Sequence, residues 1–268
     1  MDANIETKLT AARAWLIIDK PFLGALVLRL PLVEGDPQWC RTTATDAKSF
    51  YYNRDYIDQL TFEQTKFVLA HEALHCALAH FARREHRNRR RWDIACDLAI
   101  NPALVADGLA PPPNALILDG FDDMAAEEIY PCIQENTEQE PHDQHVYDDE
   151  QKPDSQREGA PPPQSGHDRA DPQKPQDGQE KSTSPDEQEP PAGGAPQPPP
   201  LSATEREALA LSWQQRLAGA AQQAMQAGKF GGSVARLVEH LLQPQLPWRM
   251  LLARFLTSMA RTDYNFLR

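Results

Sequence analysis

The 268-residue chain has no uninterrupted apolar run approaching the ~20 residues that span a bilayer as a helix. Its opening stretch, MDANIETKLTAARAWLIIDK, lacks both a basic region ahead of an apolar core and a small-residue cleavage site, so no secretory signal peptide is expected. Cysteine is scarce: Cys40, Cys76, Cys96 and Cys132 lie far apart and form no CxxC pair. Cys76 and Cys96 fall among apolar neighbours in expected helices, and a chain of this length needs no disulfide staples. Free buried thiols in a reducing compartment are the expectation, with the cytoplasm as location. Basic residues are also in deficit, 27 Lys and Arg against 39 Asp and Glu, for a net charge of −12. That balance offers no general attraction to nucleic acid or an anionic membrane, and neither is expected as a partner.

Proline is in excess, with 24 residues against the roughly 5% typical of proteins. The excess is local. Residues 141–200 hold 14 of the prolines, a single aromatic (Tyr147), and 13 acidic against 5 basic side chains. They offer too few apolar groups to offset the entropy of ordering, and are read as a disordered acidic insert. The insert carries −8 of the charge, which leaves −4 on the other 208 residues. Those residues are enough to bury a real core. They divide into an expected core, 1–140, and an expected helical segment, 201–268, packing back on it.

Residues 5–20 space Leu9, Ala12, Leu16 and Ile17 along one helical face, ended by Pro21. Residues 25–33 (ALVLRLPLV) read as a strand, with Pro31 placing it at a sheet edge. Residues 39–45 and 49–53 read as a hairpin-like pair turned at Thr45-Asp46-Ala47. Thr61 and Gln64 form a capping box, and from Phe62 to His86 there is neither Gly nor Pro, which predicts about seven turns of continuous helix. A second helix, RWDIACDLAIN, is expected to stop at Pro102, followed by a loop and a short helix over 124–132 capped by Asp123. Beyond the insert, Ser202 and Glu205 open a long helix to about Ala227. Glycines at 228, 231 and 232 break it, and further helices follow over 233–242 and 248–261. The fold class is α+β, mainly helical with a small sheet.

The informative peptide is His71-Glu72-Ala73-Leu74-His75. Two histidines four apart share a helix face and can reach one ion, while Glu72 is turned about 100° away. Zinc chemistry needs that division. The ion acidifies water and polarises a carbonyl, and a carboxylate outside the ligand set takes the proton and passes it to a departing amine. Leu74, Leu78, Phe67 and Val68 supply apolar residues to bury the motif. A bland reading stays open beside it, in which the histidines only pack and hydrogen-bond.

A third ligand is required. On an unbroken helix His80, nine positions after His71, points about 180° away from it. Asp97 is the stronger candidate. Asp93, Asp97 and Asn101 recur every fourth residue on the second helix among apolar neighbours, and a helical hairpin could carry the middle carboxylate over the ion. Asp93, His80 and His86 remain alternatives, as does a salt bridge from Asp97 to an arginine with Asn101 as a helix-end cap. Tyr51, Tyr52 and His80 are candidates to stabilise a developing oxyanion, with packing as the alternative for the tyrosines. Six arginines in nine residues, from Arg83 to Arg91, either solvate a turn and complement a helix C-terminus or form a docking patch for an acidic or C-terminal-carboxylate substrate, with Arg83, Arg84 and Arg87 nearest the motif. Nucleic-acid binding is the third reading, opposed by the lack of interleaved aromatics and by the acidic insert.

Taken together, HEALHCALAHFAR, RWDIACDLAIN, LDGFDDMAAEEIY and the late GSVARLVEHLLQPQLPWRMLLARFL with RTDYNF resemble a bacterial family of predicted metal-dependent peptidases that usually precede a von Willebrand factor A-like domain. The resemblance covers nearly everything outside the insert. It implies a zincin-like fold, metal ligation by His71 and His75, Glu72 as general base, and by analogy Asp97 as third ligand to one Zn2+ ion. Trp92, His80 and Asn101 also match the pattern. The segment Asp263 to Phe266 lies about where the von Willebrand-like domain would be expected to begin, and the sequence contains no DxSxS adhesion motif. A peptide or protein is the implied substrate, and a MoxR-type ATPase is an implied partner. Two other functions fit the same residues: a structural zinc centre in a protein-interaction adaptor, and metal-dependent hydrolysis of another amide or ester.

Overall fold

In the computed structural model, residues 3–134, 144–145 and 194–242 are described. Helix α1 (Ala3–Asp19) buries Ile5, Leu9, Ala12 and Leu16 on one face, whereas Ile17, placed on that face by its spacing, is 41% exposed. Pro21 does more than end α1. It occupies the first turn of a second helix, α2 (Pro21–Val27), where its fixed φ suits helix entry and its missing N–H costs nothing. The strand expected over 25–33 is thereby corrected. Phe22, Leu23, Leu26 and Val27 bury a helical face, and only Leu32–Glu34 (β1) is extended, at the sheet edge that Pro31 suggested. Gly24 makes this packing possible, since a Cβ there would lie 2.5 Å from the Ile17 backbone of α1.

Strands β2 (Thr43–Thr45) and β3 (Phe50–Tyr52) pair antiparallel, turned through Ala47 in the left-handed region at φ 65°. Asp46 fastens the turn, its Oδ1 accepting from the backbone N–H groups of Lys48 and Ser49. The sheet order is β1-β3-β2-β4, with β4 (Gln144–His145) parallel to β2. Ala195 bridges Gly35 beyond β1, donating its N–H to Glu34 O and accepting from Asp36 N. Both ends of the segment read as an insert therefore join the sheet. The disorder expected for the rest of it, and the helix expected over 248–261, lie outside the described residues.

A short helix α3 (Arg54–Gln59) leads into α4 (Phe62–Ala77), which starts on the expected capping box: Thr61 Oγ1 accepts from Gln64 N, and Gln64 Oε1 accepts from Thr61 N. From Thr65 to Ala77 every residue of α4 is buried, because α1, α2, α8 (Ala203–Gln226), β2 and α6 (Arg89–Ala106) all pack on it. The seven-turn helix does not form. Ala79 turns left-handed at φ 53°, and a separate short helix, α5 (His80–Arg83), follows. Helix α6 runs through Pro102 instead of stopping there. Burial of Ala103 and Leu104 beyond the proline offsets the roughly 3 kcal/mol that an interior proline costs.

After α6 the chain loops to α7 (Ala126–Ile129) and a 3-10 turn over Tyr130–Cys132. Asp123 sits at φ 59° and does not cap this helix; Glu128 reaches back to accept from Ala125 N instead. Trp92, Ile94, Ala95 and Leu98 of α6 form a second core with Ala126 and Ile129. Helix α8 buries Trp213, Leu217, Ala220, Ala221 and Ala224 in the same core as α1, α2 and α4, and Trp213 Nε1 donates to Ala47 O at 2.8 Å. Helix α9 (Gly232–Leu242) packs on α6, with Ser233 N donating to Asp107 Oδ1. No described helix is long and apolar enough to cross a membrane.

Candidate metal centre

His71 and His75 stand one turn apart on the face of α4 that meets α6, and Asp97 projects from the middle of α6 toward them. All three side chains are at 0% exposure. His75 Nε2 lies 3.0 Å from His71 Nε2 and 3.3 Å from Asp97 Oδ1, and His71 Nε2 lies 3.6 Å from the same oxygen. These three donor atoms form one group that could hold a metal ion. Bonds of about 2.0–2.1 Å to a tetrahedral ion set neighbouring donors about 3.3–3.4 Å apart, so the observed triangle has the right size.

The chemistry of the donors agrees. Asn101, one turn beyond Asp97, donates from Nδ2 to Leu116 O at 2.9 Å, which fixes the orientation of its amide. Its Oδ1 then faces His71 Nδ1 at 2.8 Å and accepts the proton there. A neutral His71 must therefore turn the lone pair of Nε2 toward His75 and Asp97. His71 Nε2 and Asp97 Oδ1 are then two acceptors 3.6 Å apart, an arrangement that a cation or a proton on His75 Nε2 relieves, and a buried carboxylate needs a partner or an ion.

Helix α4 supports the group from below: the Phe67 ring, one turn earlier, stacks within 18° of parallel to His71. Glu72 is also fully buried. Burial pushes the Cys40 thiol up to about 12, and the Glu72 charge adds to the rise. The Cys76 thiol is raised by burial too, opposed by a contact with Thr45 Oγ1 at 3.3 Å and increased by Glu72.

The break at Ala79 changes the place of His80. On a continuous helix it would face away from the motif, whereas here His80 Nδ1 comes within 3.3 Å of His75 Nδ1. Side chains replace the helical bonds lost at the break. Arg83 Nη1 donates to Leu78 O at 2.9 Å, and Trp92 Nε1 donates to His80 O at 3.1 Å. Both donors lie downstream, and α6 supplies one of them, so no breaker residue in the local sequence signalled the turn.

The other expected site residues are placed elsewhere. Asp93 is a turn before Asp97, with Arg89 Nε 3.8 Å from its Oδ2. Tyr51 donates its hydroxyl to Asp46 Oδ2 at 3.2 Å, and burial, followed by the Asp46 charge, pushes its ionisation up to about 12. Tyr52 stacks on Phe50 in the main core. Both contacts are of the kind the packing alternative describes. The arginines named for docking make contacts within the chain. Arg83 forms a two-pronged ion pair with Glu127, buried Arg84 donates to Arg87 O, and Arg87 donates to Arg83 O with its guanidinium over the Trp92 and Tyr130 rings. His86 is in the exposed turn beyond α5, with Glu85 Oε2 3.9 Å from its Nδ1.

Comparison with curated proteins and with solved structures finds no significant match. The family described as "Putative metallopeptidase domain" matches residues 4–268. With a buried His-His-Asp group at its centre and a family match over nearly its whole length, the chain belongs to that metallopeptidase domain family.

Proposed function

We propose that the protein is a zinc-dependent peptidase of zincin-like architecture, with one ion held by His71, His75 and Asp97 and with Glu72 as general base. The observation that carries this reading is the convergence of two imidazole nitrogens and one carboxylate oxygen in a buried triangle of metal-site dimensions. When bound, zinc supplies a Lewis acid that makes water more acidic and polarises the scissile carbonyl. His71, His75 and Asp97 hold their donor atoms in place through the packing of α4 on α6. Glu72 follows His71 directly in α4 and is buried with it. A carboxylate there takes a proton on one of its oxygens and returns it to the nitrogen of the departing amine.

The test is Glu72→Gln. It preserves shape and leaves the donor triangle intact, so the variant should bind one zinc per chain while losing at least about 100-fold in turnover of a peptide library. Hydrolysis at the wild-type rate would overturn the role of Glu72.

A second reading, a structural zinc centre in a protein-interaction module, draws on the complete burial of His71, Glu72, His75 and Asp97. A structural site closes its fourth position with protein, and a catalytic one leaves it to water or substrate. Cobalt substitution separates the two: an added hydroxamate shifts the visible spectrum of an open site and leaves a closed one unchanged. The cytoplasm is the proposed location, on the three buried free thiols. A MoxR-type ATPase is a proposed partner on family grounds, to be tested by co-purification.

A further inference from the structure

We propose that Asn101 and His80 are positioning residues that lock the two liganding imidazoles with their Nε2 lone pairs on the ion. The inference rests on the reading of His71, His75 and Asp97 as ligands. An imidazole can bind a metal through either nitrogen, and the partner of the other nitrogen decides which one is used.

For His71 the geometry leaves one choice. Leu116 O takes an Nδ2 proton of Asn101, so Asn101 presents Oδ1 to His71 Nδ1 at 2.8 Å. A hydrogen there sends the His71 lone pair to Nε2, facing Asp97 Oδ1. Asn101 lies four residues after Asp97, so one face of α6 delivers both the carboxylate ligand and the residue that orients a histidine ligand.

For His75 the holding group comes from a different element. His75 turns Nε2 toward Asp97, which leaves Nδ1 to meet His80 Nδ1 at 3.3 Å. With Nε2 committed to the ion, neutral His75 carries its proton on Nδ1 and donates it to the His80 lone pair. His80 is at 1% exposure, its ring edge-on to Trp92 at 6.0 Å and its carbonyl held by Trp92 Nε1. The left-handed residue Ala79 therefore has a use, because without that break His80 would not reach His75. The two clamps act on adjacent turns of α4 from α6 and α5, so neither imidazole can turn over without breaking a contact to another element.

The experiment measures zinc dissociation constants by competition with a chromophoric chelator. It compares the full-length chain with Asn101→Leu, Asn101→Asp, His80→Phe and His71→Ala, each checked for folding by circular dichroism. Asn101→Leu and His80→Phe should each weaken zinc binding by about 10–100-fold. Asn101→Asp keeps an acceptor for His71 Nδ1 but loses the donor to Leu116 O, so it should restore most of the affinity lost in the leucine variant. A purely structural Asn101 predicts that aspartate and leucine are equally harmful, and that result would overturn its assignment. Wild-type affinity in His80→Phe, which keeps a ring against Trp92, would overturn the His80 clamp. If Asn101→Leu does not fold, Asn101→Asp decides alone: near-wild-type affinity supports the assignment, and the full loss refutes it. His71→Ala separates this inference from the one beneath it. Zinc binding that survives His71→Ala means the ligand set is wrong; binding that vanishes there but is unchanged in the other variants means only the clamps are wrong.

Discussion

Ala79 shows how one residue redirects a site. Its Cβ is strained in the left-handed region, at about 1–2 kcal/mol for a residue other than glycine, and the Arg83 and Trp92 hydrogen bonds hold it there. Ala79→Val should lower stability by a further 1–2 kcal/mol or so in urea unfolding, since a branched side chain is a worse fit at positive φ. Ala79→Gly should be tolerated. A valine variant as stable as the alanine protein would show that the turn is not held as described. The shared face of His71 and His75 was legible in the sequence because their spacing is a property of one helix. His80 was not, since its position depends on a tryptophan twelve residues away reaching its carbonyl.

At the scale of elements, α4 carries the motif and depends on its first turn. Thr61→Ala removes the hydroxyl that accepts from Gln64 N and should cost about 1 kcal/mol, read as a lower denaturant midpoint with an unchanged slope. No change in midpoint would mean that packing alone fixes the start of α4. The capping boxes at Thr61 and Ser202 were readable because they are local reciprocal hydrogen bonds. Residues 25–27 misled because ALV suits strand and helix alike, and the choice fell to the packing of α2 against α1, α4 and α8. Pro102 misled for the same reason. A proline marks a stop only when nothing beyond it is worth burying, and Ala103 and Leu104 are buried. The approach of Asp97 to His75 was anticipated from the four-residue recurrence on α6. The hold of Asn101 on His71 was not, because it needs the Leu116 carbonyl from a loop.

Across the whole molecule, one core joins α1, α2 and α4 to α8 and α9, so residues far apart in sequence enclose the motif. The cysteines report on that enclosure. Cys40, Cys76 and Cys96 are buried, and burial raises their thiol pKa and disfavours the thiolate, while Cys132 is exposed. Iodoacetamide at pH 8 should therefore label Cys132 alone in the native chain and all four cysteines after denaturation, as read by mass spectrometry. Rapid native labelling of Cys76 or Cys96 would contradict the enclosure of Cys76 in the main core or of Cys96 in the second core. The ends of the acidic segment also belong to this scale, since Gln144–His145 and Ala195 extend opposite edges of the sheet. Composition could not reveal that, because strand pairing through the backbone leaves little trace in side-chain chemistry.

The central claim is that α4 and α6 together hold one catalytic zinc ion. A crystal structure of the zinc-loaded chain, with anomalous data collected on both sides of the zinc edge, tests it most directly. One zinc peak is expected, bonded to His71 Nε2, His75 Nε2 and Asp97 Oδ1, with Asn101 Oδ1 still on His71 Nδ1 and a fourth position not filled by protein. A zinc peak away from these residues, or no peak at full zinc loading, would contradict it.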